Sequence, residues 1–102
     1  MKVDLENINK AFESRARLGI MSVLMVEDRV DFNTLKETLQ LTDGNLASHL
    51  RALEEAQYLT IEKQFVGRKP NTTYMATEAG KNAFKEHLDA LEQLILNNRS
   101  NE

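Results

Sequence analysis

The apolar positions change period along the chain, and each change marks a new element. From Arg15 to about Glu27, the residues Leu18, Ile20, Met21, Val23, Leu24 and Met25 are too dense for a surface stripe and predict a central helix, capped by Ser14. Gly19 costs that helix about 1 kcal/mol relative to alanine, which suggests close packing of a neighbouring element there. Ahead of it, Leu5, Ile8 and Phe12 fall at helical spacing and predict a short helix over Asp4 to Phe12, covering the core or a partner chain. Glu27, Asp28 and Arg29 make a polar exit, and Val30 to Phe32 could add a very short strand.

Between Asp31 and Gln57 the pattern reads as two short helices joined by a tight turn. Leu35 and Leu39 recur at i, i+4 with Asn33 placed as the N-cap, and Leu41 closes that helix on an apolar anchor. Thr42 or Asp43 caps the next helix, in which Leu46, Leu50 and Leu53 share one buried face. The opposite face carries Gly44, Asn45, Ser48 and His49, then Arg51 and Ala52, so no bulky apolar side chain blocks approach. A helical hairpin in any bundle could look similar, but this is also the helix-turn-helix pattern, whose second helix reads DNA bases from its N-terminal half.

After Gln57 the period drops to two. Leu59, Ile61 and Phe65 alternate with Thr60, Glu62 and Gln64, which predicts a strand with those three side chains on its buried face. G-R-K-P-N over residues 67–71 predicts a turn, with Pro70 excluded from a central strand, and Thr72 to Thr77 closes an antiparallel hairpin. Its tip carries Arg68 and Lys69 with Lys63 on the approach, and no acid lies between Lys63 and Thr77. Thr77 caps a last helix, and Gly80 lets that helix sit close to what lies beneath it. Phe84, Leu88, Leu91 and Ile95 form a coiled-coil-like seam with His87 and Leu94 beside it, able to pack on its own domain or on a second copy. Asn97 to Glu102 is polar and expected to fray.

Composition narrows the class. A chain of 102 residues makes one domain with one modest core, here mainly α with a small β-hairpin. It has no cysteine, which excludes disulfides and thiolate metal sites. The longest apolar run, Leu18 to Val26, falls short of the roughly 20 residues of a membrane span, and the charged N-terminus lacks a secretory apolar region. These features predict a cytoplasmic protein. The net charge of -3 argues against indiscriminate binding to nucleic acid. Between Asn33 and Ala76, however, Lys36, Arg51, Lys63, Arg68 and Lys69 balance Glu37, Asp43, Glu54, Glu55 and Glu62, so the acidic excess lies in the flanks and a basic edge can survive.

Helix, helix-turn-helix and basic-tipped hairpin, in that order, make a winged helix. The sequence also resembles the short winged-helix transcriptional regulators related to the MarR and ArsR groups of bacteria and archaea. Three stretches carry the likeness: R-L-G-I-M-S-V-L from Arg17, L-T-D-G-N-L-A-S-H-L-R-A-L-E-E-A-Q-Y from Leu41, and F-V-G-R-K-P-N-T-T-Y-M-A-T-E-A-G ending at Gly80. The resemblance implies that Gly44 to Arg51 form the recognition helix, that Gly67 to Asn71 form the wing tip, and that the protein dimerises. Where this family often has a basic residue, Ser48 stands here; where it usually has glycine, Gln57 stands, a residue strained in a left-handed helix cap.

No catalytic constellation can be assembled. Ser48 and His49 are neighbours on one helix and do not face each other, and His87 is remote, with the character of an interface or surface histidine. No metal, cofactor or enzymatic activity is expected. The expected organisation is a single winged-helix domain over 1-102, with a helix-turn-helix at 33-57, a wing at 58-77 and a dimerisation helix at 78-97. Its expected DNA-contacting residues are Asn33, Thr34, Lys36, Gly44, Asn45, Ser48, His49, Arg51, Lys63, Arg68 and Lys69. Leu5, Ile8, Phe12, Phe84, His87, Leu88, Leu91, Leu94 and Ile95 form its expected dimer surface. The expected partners are a second copy and a pseudo-palindromic duplex, with any small effector held between helices. The rival expectation is a winged helix used as a protein-interaction module without specific DNA binding.

Overall fold

The computed structural model describes residues 5–100, with side chains as far as Leu96. A 3-10 turn at Lys10–Phe12 precedes α1 (Arg15–Val26), β1 (Val30–Asp31), α2 (Phe32–Leu39), α3 (Asp43–Glu55), β2 (Leu59–Val66), β3 (Lys69–Ala76) and α4 (Glu78–Ser100). The strands form one antiparallel sheet in the order β1-β3-β2, so the fold is α+β of winged-helix type. The helical stripes meet in one core, where Ile20, Met21, Leu24, Leu35, Leu46, Leu50, Leu53 and Leu59 are almost wholly removed from water. Among the described residues no helix is long and apolar enough to cross a membrane.

Caps set the boundaries. Ser14 starts α1 by accepting from the Arg17 N–H, as expected. Asp31, not Asn33, starts α2: its extended backbone and the bond from the Thr34 N–H to its carboxylate place Asn33 inside the first turn. Of the two candidates for α3, Thr42 is the cap. Close packing at Gly19 is also present, since a Cβ there would lie 2.9 Å from Leu39 Cδ2.

Both helices of the helix-turn-helix end on a glutamine in left-handed conformation, Gln40 at φ 54° and Gln57 at φ 66°. Behind Gln57 the Tyr58 N–H reaches the Leu53 carbonyl at 3.0 Å and the Gln57 N–H reaches Glu54 at 2.8 Å, a Schellman closure. Because the Gln57 side chain is exposed, Gln57→Gly removes strain without removing a packed group, and should stabilise the fold by about 1 kcal/mol. Urea melts check this; a less stable variant would mean that the side chain contributes more than the strain costs.

Three expectations are corrected. Asp4 to Phe12 is not a helix: Asp4 lies outside the described residues, and beyond it only the 3-10 turn is regular. Asn9 prevents propagation, because its backbone is extended, its N–H donates to His87 Nδ1 at 3.0 Å, and its side-chain amide donates to the Tyr58 hydroxyl at 2.9 Å. Phe65 is 76% exposed, because the hairpin continues past the core that Leu59 and Ile61 cover. Finally, the turn is only Gly67-Arg68, and Pro70 lies in the central strand, β3, opposite Phe65. Gly67 at φ 66° suits the first position of a type II′ turn. Val66 and Lys69 then form the hydrogen-bonded closing pair, which leaves the nitrogen of Pro70 pointing away from β2, at a level that β1 does not reach.

The same packing corrects the expected seam. Phe12 is fully buried, with its ring centroid 5.3 Å from Tyr58, 5.3 Å from Phe84 and 5.4 Å from His87. Phe12, Phe84 and His87 therefore belong to the core of their own chain. Burial lowers the His87 pKa below its ordinary value, although the Glu13 charge opposes the shift. The neutral ring is the form that accepts from Asn9. A folded-state pKa below the unfolded value means that His87's contribution is complete above pH 6.5 and is lost as pH falls below it. Urea midpoints should accordingly drop between pH 7.5 and pH 5.5, and drop less in His87→Gln; parallel profiles for the two proteins would remove His87 as the cause.

Helix α4 runs past the expected end at Asn97 to Ser100, while residues 101–102 of the expected frayed tail lie outside the described residues. Its distal half leaves the body and accounts for the extents of 61 × 25 × 21 Å. Leu88, Leu91, Ile95 and Leu96 are exposed there, Leu94 is half-buried, and near the N-terminus Leu5 is exposed and Ile8 half-buried.

Candidate nucleic-acid interface

Helix α3 turns its three leucines inward, and at about 100° per residue this fixes where every other side chain points. Gly44, Ser48 and Arg51 lie on the side opposite the core and are exposed. Asn45 and His49 sit on the flank toward α1, where they line a crevice of about 580 Å³ with Ser14, Arg15 and Gln40. Ala47, Arg51 and Glu54 sit on the flank toward the wing, across a crevice of about 240 Å³ from Ile61, Lys63, Thr72 and Tyr74. The N-terminal half of the outer face is thus small and polar apart from Asp43 in the first turn, and the other acids, Glu54 and Glu55, come at the C-terminal end.

The alternation of β2 separates the charges of the wing. Lys63 faces α3, in register with Thr72, whereas Glu62 points to the other side and pairs with Arg29 at 2.8 Å. The face toward α3 therefore presents Lys63, then Phe65 beside Pro70, with Arg68 at the exposed turn, whereas Lys69, in register with Val66, turns to the other side, toward Arg29 and Asp31. Lys36 Nζ contacts Asp43 Oδ1 at 2.8 Å across the helix-turn-helix turn. Both ends of that pair are well exposed, so it holds Lys36 only weakly and leaves it able to exchange onto a phosphate.

Thr34 falls elsewhere, while Asn33 is exposed one turn before Lys36 on α2. The Thr34 hydroxyl donates to Asp31, and this bond holds the Asp31 carboxyl below its ordinary pKa. The N-terminus of α2 is thereby already supplied with an anion, and a phosphate arriving there would meet a like charge. Thr34 lines a cleft of about 640 Å³ with Ser22, Val26 and Arg29, and that cleft shares no residue with either crevice beside α3.

One participant was absent from the sequence reading. Arg17 is half-buried, and its Nε donates to His49 Nδ1 at 3.2 Å, joining α1 to α3 over 32 positions. The available signal was a cation on a buried stripe, since Arg17 precedes Ile20, Met21 and Leu24 at i+3, i+4 and i+7. Among the described residues no group of three or more His, Asp or Glu could hold a metal ion.

Comparison with known proteins agrees with this geometry. The sequence pattern of a family described as "Winged helix DNA-binding domain" matches residues 16–95. An uncharacterized protein of Methanocaldococcus jannaschii is 38% identical over 88 residues, covering 86% of this chain and 96% of that protein. The solved structure of the transcriptional regulator homologue protein from Pyrococcus horikoshii OT3 superposes with a TM-score of 0.73 at 30% identity, covering 88% of this chain and 94% of that one.

Proposed function

The chain belongs to the winged helix DNA-binding domain family, and from that premise we propose that it is a sequence-specific transcriptional regulator acting as a homodimer. The observation that carries the reading is the pairing of two surfaces: the small, polar outer face of α3 at Gly44, Ser48 and Arg51 with Asn45 and His49 on its flank, and the wing beside it, which turns Lys63 toward α3, carries Arg68 at its tip and Lys69 on its far side, and holds its one acid, Glu62, away from α3 in a pair with Arg29. In this reading α3 enters the major groove and the wing lies on the flanking backbone or minor groove. Lys36 contributes a phosphate contact, Asn33 one turn before it on α2 can contribute another, and Thr34 is peripheral. The likeness to a solved transcriptional regulator homologue supports the regulatory role. A relation to the MarR and ArsR groups and a cytoplasmic location are part of the same proposal.

Selection from a random pool of duplexes tests the function and identifies the site together. On the selected site Asn45→Ala should cost about 1 to 3 kcal/mol and relax the preference at one position, as the loss of a base contact does. Arg68→Ala should weaken binding to all sequences and flatten the dependence on salt, because it removes a phosphate contact. An unchanged salt slope in Arg68→Ala would take the wing out of the interface.

The rival reading, a protein-interaction module, is favoured by one observation: Phe65 and Val66 are 76% and 65% exposed on the wing, and aromatic anchors of that kind are typical of protein interfaces. Failure of the pool to enrich any sequence would decide for the rival.

A further inference from the structure

The contact between Arg17 and His49 has only one chemical sense. A guanidinium has no acceptor and stays protonated, so Arg17 Nε–H donates and His49 Nδ1 accepts at 3.2 Å. Arg17 is itself anchored, with Nη1 3.4 Å from the Ala11 carbonyl oxygen and its stem at the head of the α1 stripe. A neutral imidazole that accepts at Nδ1 carries its proton on Nε2. Among the described residues no group bonds His49 Nε2 and no buried side-chain nitrogen or oxygen lacks a partner, so this N–H is open to solvent. It stands beside Asn45, on the N-terminal half of the helix read as the recognition helix.

We propose that Arg17 is a positioning residue for base recognition: it fixes His49 as an Nε2–H donor, so that α3 accepts a base with a major-groove acceptor and rejects cytosine. Guanine offers N7 and O6, adenine N7 and thymine O4, whereas cytosine offers only its amino donor at that edge. A free imidazole exchanges between tautomers and can accept from cytosine as readily as it donates to guanine. The anchored ring cannot, and it also loses less rotational freedom on binding. The inference rests on α3 being the DNA-reading helix, and it adds which base class one of its residues reads and what enforces that choice.

The test has two arms. In the free protein, nitrogen-15 spectra of the His49 ring should show the proton on Nε2 in the wild type and a mixture of tautomers in Arg17→Met. On the selected duplex, placing each base in turn at every half-site position should reveal one position where cytosine weakens wild-type binding about tenfold, within the range of one base contact. The penalty should fall below about threefold in Arg17→Met, vanish in His49→Ala, and not change further when both are combined. Arg17→Lys, which restores a donor, should recover most of it. An Nδ1-protonated ring in the wild type overturns the inference whatever the DNA result. So does an Arg17→Met protein that keeps the cytosine penalty, or one that loses affinity equally for all sequences, the mark of a phosphate contact or of a merely structural arginine. A wild type that enriches no duplex overturns the proposed function and this inference with it, whereas the other failures leave the proposed function standing.

Discussion

Gly80→Ala should destabilise the chain by about 3 kcal/mol or more, a large share of what a domain this size has to lose. A Cβ at that position would stand 2.0 Å from the Tyr58 carbonyl oxygen, 2.8 Å from its carbon and 2.9 Å from Tyr58 Cα. These are backbone atoms, and they cannot turn aside as a side chain could. Tyr58 is held from every direction: its N–H closes α3 on Leu53, its carbonyl accepts from the Thr77 N–H at 3.1 Å, and its ring stacks on Phe12. Relief must come from α4, which would have to lift away and loosen both the Thr77 cap, now 2.9 Å from the Gly80 N–H, and the seating of Phe84 and His87. Gly44→Ala is the control, since nothing lies within 4 Å of a Cβ there and alanine suits the helix better by up to about 1 kcal/mol. Urea melts of the two variants should move in opposite directions. A Gly80→Ala protein within about 1 kcal/mol of wild type would mean that α4 does not rest on the end of α3 as described.

What the sequence disclosed, and what it hid, divides by range. The stripes Leu46, Leu50, Leu53 and Ile20, Met21, Leu24 are legible because a helix must bury one face, and the period states which. Gln57 and Gly80 are legible because a helix end and a close approach each require a particular backbone at one position. Phe65 shows the limit of the same logic: alternation tells which face of a strand a residue occupies but not how far the core extends beneath it. Asn9 hid its role because its partners, Tyr58 and His87, come from other elements, and their hydrogen bonds outweigh the helical spacing of Leu5, Ile8 and Phe12. The bond from Arg17 to His49 is hidden for the same reason. Of the candidate interface, the outer face of α3 and the cations of the wing could be read from spacing and charge. The anion already seated at the start of α2 and the arginine behind His49 could not, because each is set by which groups folding brings into contact.

Replacing Leu88 and Leu91 together by lysine should convert the proposed dimer into a folded monomer with at least about a hundredfold weaker binding to the selected site, the gain that linking two recognition units typically supplies. The core claims Phe12, Phe84 and His87, so the available seam starts at Leu88 and continues through Leu91, Ile95 and Leu96 on the part of α4 that leaves the body. Leu88 and Leu91 are 45% and 37% exposed in the isolated chain, so lysines there can reach water without entering the core, whereas across a two-fold axis they would set like charges against each other. A single winged helix offers one recognition helix and a few cations within a chain of net charge -3. Two copies double those contacts and fix half-sites about 34 to 36 Å apart, one turn of the duplex. Both consequences are measurable on one preparation: sedimentation gives the mass, circular dichroism confirms the fold, and titration of the selected duplex gives the affinity. A double variant that still sediments as a dimer places the interface away from α4. A folded monomer that binds the full site as tightly as wild type breaks the step from dimerisation to recognition, because one copy would then supply all the discrimination that the proposed function assigns to two.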